Sequence, residues 1–321
     1  MENLWLFEPE PPEFRTKLAE KLRRAASRGI YFGGSSWKYE GWMGQIYTPE
    51  RYTTRGKISH RRFEENCLAE YSEVFPVVCG DFSFYQFPSP QYWQKLFGSC
   101  PGNLRFAFKA PEEITAAVWP SHARYGDKGG SGNEAFLDAA MFERLFLDSL
   151  APYRERVAVL IFEFGAMSKS VFPGYEAFVE ALDQFLGALP ADWRYAVEIR
   201  NPEFLTPEYL ACLRRHNVSH VLNAWTRMPE LGTQMELPGA FSSDIVVTRA
   251  LLRFGRNYED AVRRFQPYTE AKDPNPAVRR SLAEIARKAA REGRRAFLFV
   301  NNRLEGNAPS TIDAVLDEFL E

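Results

Sequence analysis

The chain has 321 residues, 45% of them hydrophobic and 15% aromatic, with a formal net charge of −2. A single α/β barrel reaches this length, and the apolar content is enough to fill its core. The balanced charge excludes a general affinity for nucleic acid or acidic membranes, and the chain has no run of about 18 apolar residues to span a bilayer.

Residues 1–29 read as an N-terminal extension. An acidic, proline-broken lead, MENLWLFEPEPPEF, runs into a short basic helix over Glu13–Ser27 that Gly29 closes. The lead lacks the basic start and apolar stretch of a signal peptide, so a cytoplasmic protein is expected. Cys67, Cys79, Cys100 and Cys212 form no CxxC pair, which suits reduced thiols and neither a disulfide framework nor a zinc site.

Residues 30–321 read as one domain. The first strand is predicted over Ile30–Trp37, followed by a long aromatic loop and a helix over 57–73 with Phe63, Cys67 and Tyr71 at four-residue spacing. The second strand is Val77–Asp81. Ser89-Pro90 then opens a helix, with serine as cap and proline at the first helical position. The third strand is Leu104–Lys109. After it come a glycine-rich loop, Tyr125–Asn133, of mobile composition, and a helix over 134–150 with the apolar face Phe136, Ala140, Leu145 and Leu147. The fourth strand is Val157–Glu163, with a helix near 173–188. The fifth is 194–199, and Thr206-Pro207 caps the helix after it. The sixth is Val218–Asn223. Prolines and glycines in 227–243 argue against a full helix there. Strand seven is Asp244–Arg249 and strand eight Ala296–Asn301. Helices are expected at 258–266, 275–292 and 308–320.

Strand and helix alternating eight times is the pattern of a parallel (β/α)8 barrel, a TIM-like fold. An open doubly wound sheet would need GxGxxG after a strand, and neither Gly33-Gly34 nor Gly129-Gly130-Ser131-Gly132 matches it.

In such a barrel, polar groups at the C-terminal strand ends face the mouth, where barrel active sites lie. Here those ends carry Trp37, Asp81, Lys109, Glu163, Glu198 with Arg200, Asn223, Arg249, and Asn301 with Asn302. Glu198 and Arg200, two apart on a strand, point the same way. They form either an internal ion pair or a carboxylate base held by its neighbour. Glu163, one strand away, supplies a second carboxylate, a pairing that glycoside hydrolysis uses. Lys109, Arg200 and Arg249 could hold an anion or simply neutralise the carboxylates. Arg253 and Arg256 follow strand seven, where barrels often bind phosphate. The four histidines, His60, His122, His216 and His220, lack metal-binding spacing, so no cofactor is expected. A Mg²⁺ or Mn²⁺ ion on Asp81, Glu163 and Glu198 stays open. Trp37, Trp42, Tyr47, Phe84, Tyr85 and Trp225 are either core or a stacking surface for a ring. Residues 249–295 hold thirteen Lys/Arg against six Asp/Glu, a net of +7, which reads as a solvated helix face or an anion-binding surface.

Five ordered stretches, GGSSWKYEGWMGQIYTPERY, DFSFYQFPSP, RFAFKAPEEIT, YAVEIRNPEFL and FVNNRLEGNAP, resemble signatures of the YecE-like proteins, a domain-of-unknown-function family. The resemblance covers about residues 30–316. It implies a TIM-like barrel and a cytoplasmic protein, and carries no established activity. The matching polar positions are Trp37, Tyr47, Phe84, Tyr85, Lys109, Glu198, Arg200, Asn301, Asn302 and Gly306. The chain departs from the family pattern at Cys79 and Asp81, where Glu-x-Asn is usual, and at Glu163, where Gln is common.

The expectation is therefore an enzyme, hydrolase or isomerase in type, acting on a small anionic, sugar-like or phosphorylated ligand. Glu198, Lys109, Glu163 and Asp81 would be its catalytic groups. Trp37, Tyr47, Tyr85, Arg200, Asn223, Arg249, Asn301 and Asn302 would bind the ligand. A phosphodiesterase or nucleic-acid-processing barrel and a non-catalytic metabolite binder are the alternatives. No membrane partner is expected, and the sequence is silent on oligomeric state.

Overall fold

The computed structural model describes residues 10–321, so most of the acidic lead, residues 1–9, lies outside the described residues. Eight strands make one parallel sheet. They are β1 Ile30–Gly34, β2 Val77–Gly80, β3 Arg105–Lys109, β4 Val157–Phe164, β5 Tyr195–Ile199, β6 Ser219–Ala224, β7 Ile245–Ala250 and β8 Arg295–Val300. They follow one another around the sheet in chain order, β8 pairs back onto β1, and the sheet curls into a nearly closed TIM-like barrel. The strands are apolar on both faces because one side fills the lumen and the other meets helices.

The helices are α1 Glu13–Ala26, α2 His60–Ser72, α3 Pro90–Gly98, α4 (139–150), α5 Tyr175–Ala188, α6 Pro207–Arg215, α7 Leu231–Met235, α8 Tyr258–Phe265, α9 Pro276–Arg291 and α10 Ala308–Leu320. Their starts follow local chemistry. The Ser89 and Thr206 hydroxyls accept from Tyr92 N (3.2 Å) and Tyr209 N (3.3 Å), and proline takes the first turn of both helices. Between β6 and β7 there is just the five-residue α7, in keeping with the breakers in 227–243.

One helix differs from its predicted form. α4 starts at Ala139, after Asp138 accepts from Met141 N (2.8 Å), and residues 143–147 form a π-turn. The wider turn rotates the face that follows. Leu145 and Ala140, expected in the core, are exposed, while Phe142, Phe146, Leu147 and Leu150 are buried.

β1 and β2 share no ladder among the described residues, and this seam is closed in another way. A Cβ on Gly33 would stand 1.9 Å from the Val77 carbonyl oxygen, so only glycine lets the two backbones approach this closely. The Tyr71 hydroxyl of α2 donates to Val77 O (3.0 Å) and accepts from Gly34 N (2.8 Å), replacing the missing ladder bonds. α1 buries Leu18, Leu22 and Ala25 against β1 and α10, and its buried Arg15 pairs with buried Glu70 at 2.6 Å.

Inside the barrel, Val77, Cys79, Ala107, Ile161, Ala196, Val221, Val247, Phe297 and Phe299 make one cluster separate from the helix-facing core. Side chains alternate along a strand. Two residues beyond the last of these inward positions on each strand therefore come Asp81, Lys109, Glu163, Glu198, Asn223, Arg249 and Asn301. The lumen is an apolar plug capped by a polar layer.

Two outcomes are expected. Tyr71→Phe leaves Gly34 N and Val77 O without their partner and should lower unfolding free energy by about 1–3 kcal/mol; a denaturant midpoint within error of the parent's would refute its role at the seam. His220 lies on the outer face of β6 against the Tyr209 hydroxyl (3.2 Å), and burial drives its pKa from 6.5 down to about 4. The unfolded imidazole takes a proton below pH 6.5 that the folded one refuses until about pH 4, so stability falls as pH drops through this window. The fall should reach about 3 kcal/mol from this group, and His220→Phe should flatten it in denaturation curves measured from pH 7 to pH 4.

Candidate active site

Three carboxylates and three cations from five strand ends meet at the top of the lumen. Glu163 and Glu198 stand side by side in the β4–β5 register. Arg249 of β7 hydrogen-bonds both. Arg200 Nη2 lies 2.7 Å from Glu198 Oε1 and 3.3 Å from Glu163 Oε2. Lys109 Nζ bridges Glu163 Oε2 (3.2 Å) and Asp81 Oδ1 (3.5 Å), and Arg249 Nη2 is also 3.5 Å from Asp81. The six formal charges cancel.

Burial grades the layer. Glu198 is fully buried beneath Arg200 and Arg249, Glu163 retains 16% of its side-chain exposure, and Asp81 retains 42%. The sequence reading made Glu198 the leading acid or base. The structure places Glu198 fully buried, in contact with Arg200 and Arg249. Burial alone would raise the pKa of Glu163, but Lys109, then Arg200 and Arg249, outweigh it and hold the carboxyl well below its ordinary range. For Lys109, burial acts to lower the pKa, and Glu163 and Asp81 overcome it, so the ammonium stays charged. Arg249 is held charged in the same way by Glu198 and Glu163.

Two cavities flank this layer. The smaller, about 340 Å³, includes Ser35, Trp37, Lys38, Asp81, Asn301 and Arg303 in its wall. The larger, about 630 Å³, opens beside Glu163 between the chain at 112–121 and that at 165–171. Phe84 lines the larger, with Lys109 Nζ 3.8 Å above its ring. Cys79 also lines the smaller cavity, but burial pushes its thiol up to about 12, so it is no nucleophile at neutral pH.

Not every expected ligand residue reaches this place. Tyr47 is fully buried and donates to the Trp37 carbonyl, holding that loop from below. Asn302 accepts from Trp42 Nε1 (3.2 Å) and Ala308 N (2.7 Å), as a joint between loops. Asn223, fully buried beside Arg249 in the strand register, donates to Ile199 O at 3.2 Å. Tyr85 is half exposed, with Arg124 3.8 Å over its ring, and lines neither cavity. Trp42 is core, and Trp225 supports Arg200 at 4.0 Å. Arg253 and Arg256 are turned to Asp273 at 3.3 and 2.5 Å, which blunts the phosphate site expected there. Sequence reasoning missed Ser35, although it stands two beyond inward Gly33, and missed Glu112, Lys38 and Arg303, which loops bring in without any strand register.

A divalent ion on Asp81, Glu163 and Glu198 would have to displace Lys109 and Arg249 from among them. Among the described residues, the ligand atoms close enough for metal binding are those of Asp183, Cys212 and His216, on α5 and α6. There Asp183 Oδ1 already accepts from Arg215 (2.8 Å) and contacts His216 Nε2 (2.7 Å).

An eight-stranded barrel with its polar side chains gathered at the C-terminal strand ends defines the class. The chain belongs to the family described as protein of unknown function DUF72, which matches residues 31–320. It is 24% identical over 175 residues to UPF0759 protein YecE of Escherichia coli K12, which is 54% of this chain and 50% of that protein, so it spans about half the length of the curated relatives it matches. Two solved structures share the fold. A DUF72 family protein of Thermotoga maritima has TM-score 0.59 and 19% identity, covering 91% of this chain and 98% of its own. One from Enterococcus faecalis has TM-score 0.58 and 16% identity, covering 91% and 96%. No helix among the described residues is long and apolar enough to cross a membrane.

Lys109→Met removes the strongest of the charges holding Glu163 ionised. The Glu163 carboxyl should then titrate nearer the ordinary carboxylate range, followed by carbon-13 NMR of labelled glutamates. An unmoved titration would show that the two arginines suffice.

Proposed function

We propose that the protein is an enzyme of hydrolase or isomerase type acting on a small polar ligand, sugar-like or phosphorylated, bound over the barrel mouth. The observation that carries this reading is a pair of buried guanidinium nitrogens without hydrogen-bond partners in the charged layer, Arg200 Nη1 and Arg249 Nε. Each such atom costs about 1–3 kcal/mol if it stays unmatched, and a polar ligand or its water supplies the match.

Asp81 is the carboxylate with surface to spare, so it accepts the proton from a substrate carbon or hydroxyl or from water. Lys109 and Arg249, both held charged, stand beside it to stabilise negative charge growing on a substrate oxygen. Glu163, held ionised, accepts and orients, and Glu198 is a positioning residue. Lys38 and Arg303 line the smaller cavity and carry no ion pair among the described residues, Arg303 resting over the Tyr258 ring at 4.5 Å, so their charges are uncompensated and suit a phosphate or carboxylate. The nucleic-acid alternative has less support, because Arg253, Arg256 and Arg264 share Asp273, and Arg279 is spent on buried Glu305.

Thermal-shift screening with sugar phosphates and nucleotides should raise the Tm with at least one of them. Asp81→Asn should keep that shift while cutting turnover of the same compound by roughly 10²–10⁴. A screen without any shift would overturn the reading, and a shifting ligand that is never turned over would leave a metabolite binder.

A further inference from the structure

We infer that the larger cavity is a subsite for an uncharged, hydroxyl-rich ring of the sugar class, set beside the charged mouth; the inference rests on reading that mouth as a ligand site. Its wall contains two carboxylates, Glu112 and Glu163, and among the described residues no lysine or arginine. A phosphate or carboxylate there would meet Glu112 and Glu163 in the wall itself, while the nearby cations Lys109 and Lys128 lie over Phe84 and Trp119 and not in the wall, so the cavity favours an uncharged group over an anion. The smaller cavity, with Lys38 and Arg303, has the opposite bias.

Three features ask for hydroxyl groups. Thr115 is 2% exposed, lines the cavity, and its Oγ1 has no partner. A buried hydroxyl in that state is matched by a ligand donor or acceptor. Glu163 gives all its contacts with Lys109, Arg200 and Arg249 through Oε2, which leaves Oε1 to accept from a ligand hydroxyl. Glu112 takes a hydrogen bond from Tyr125, and burial raises its pKa. The rest of the wall is suited to a ring, with Phe84 and Trp119 as aromatic surfaces for the C–H faces of a sugar. A volume of about 630 Å³ lies within the range of small-ligand sites. A substrate reaching from one cavity to the other would carry its charged group near Arg303 and its neutral ring near Thr115, with the joining bond over Asp81, Lys109 and Glu163.

The test is saturation-transfer difference NMR on the full chain, with glucose, mannose and N-acetylglucosamine as neutral probes and glucose 6-phosphate as the anionic one. At least one neutral sugar should take up saturation. Thr115→Val, which preserves shape, should weaken its binding about fivefold, the worth of one hydrogen bond, and Trp119→Ala should do so independently of any effect on Thr115. A double Lys38→Ala, Arg303→Ala variant should leave the neutral signal intact while reducing that of glucose 6-phosphate. Silence from every neutral sugar, or a neutral signal untouched by both Thr115→Val and Trp119→Ala, would overturn the subsite. If the mouth reading alone is wrong, the neutral signal survives and no anionic ligand shifts the Tm; if the subsite alone is wrong, the reverse holds.

Discussion

Compensation of charge inside a low-dielectric barrel is the constraint on which this site depends. Taking one ion out of water costs several kcal/mol, and the cost is offset only where opposite charges and hydrogen bonds meet it. Arg249, nearly fully buried, is held by Glu163 and Glu198 together, and Arg200 closes over the same two carboxylates. Removing any one of these groups leaves its partners buried and unmatched.

The same constraint separates residues that act from residues that hold. Glu198 is the most conspicuous carboxylate in the sequence because it interrupts an apolar strand, yet it is fully buried. Asp81 attracts less notice, standing just past a short strand, but it has the open surface. Conspicuousness in a sequence tracks the cost of burial, whereas reactivity tracks access.

The barrel fold is shared with DUF72 proteins at identities below 20%. In this chain the mouth is more acidic than the YecE-like pattern suggests, with Asp81 and Glu163 both charged positions. Asp81, Glu163 and Glu198 are balanced by Lys109, Arg200 and Arg249, so the layer is neutral. Of the flanking cavities, one is cation-bearing and the other is purely acidic.

Much of this was legible in the residues. Eight apolar runs with polar ends determine a parallel barrel, because a strand buried on both faces tolerates charge only at the mouth, and Ser89-Pro90 and Thr206-Pro207 mark helix starts through local hydrogen bonding alone. The two-residue period also placed Asp81, Lys109, Glu163, Arg249 and Asn301 on one inward row. What the period could not decide was depth. Glu198 and Asp81 share that row, and the stagger of the strands and the reach of Arg200 put one under cover and the other in the open. The π-turn in α4, which turned Leu145 outward, the short helix Glu112–Thr115 and the loops that carry Lys38 and Arg303 to the cavities depend on contacts between segments distant in sequence. Such contacts leave no periodic trace, so tertiary structure alone decided the shape and the charge of what the mouth can hold.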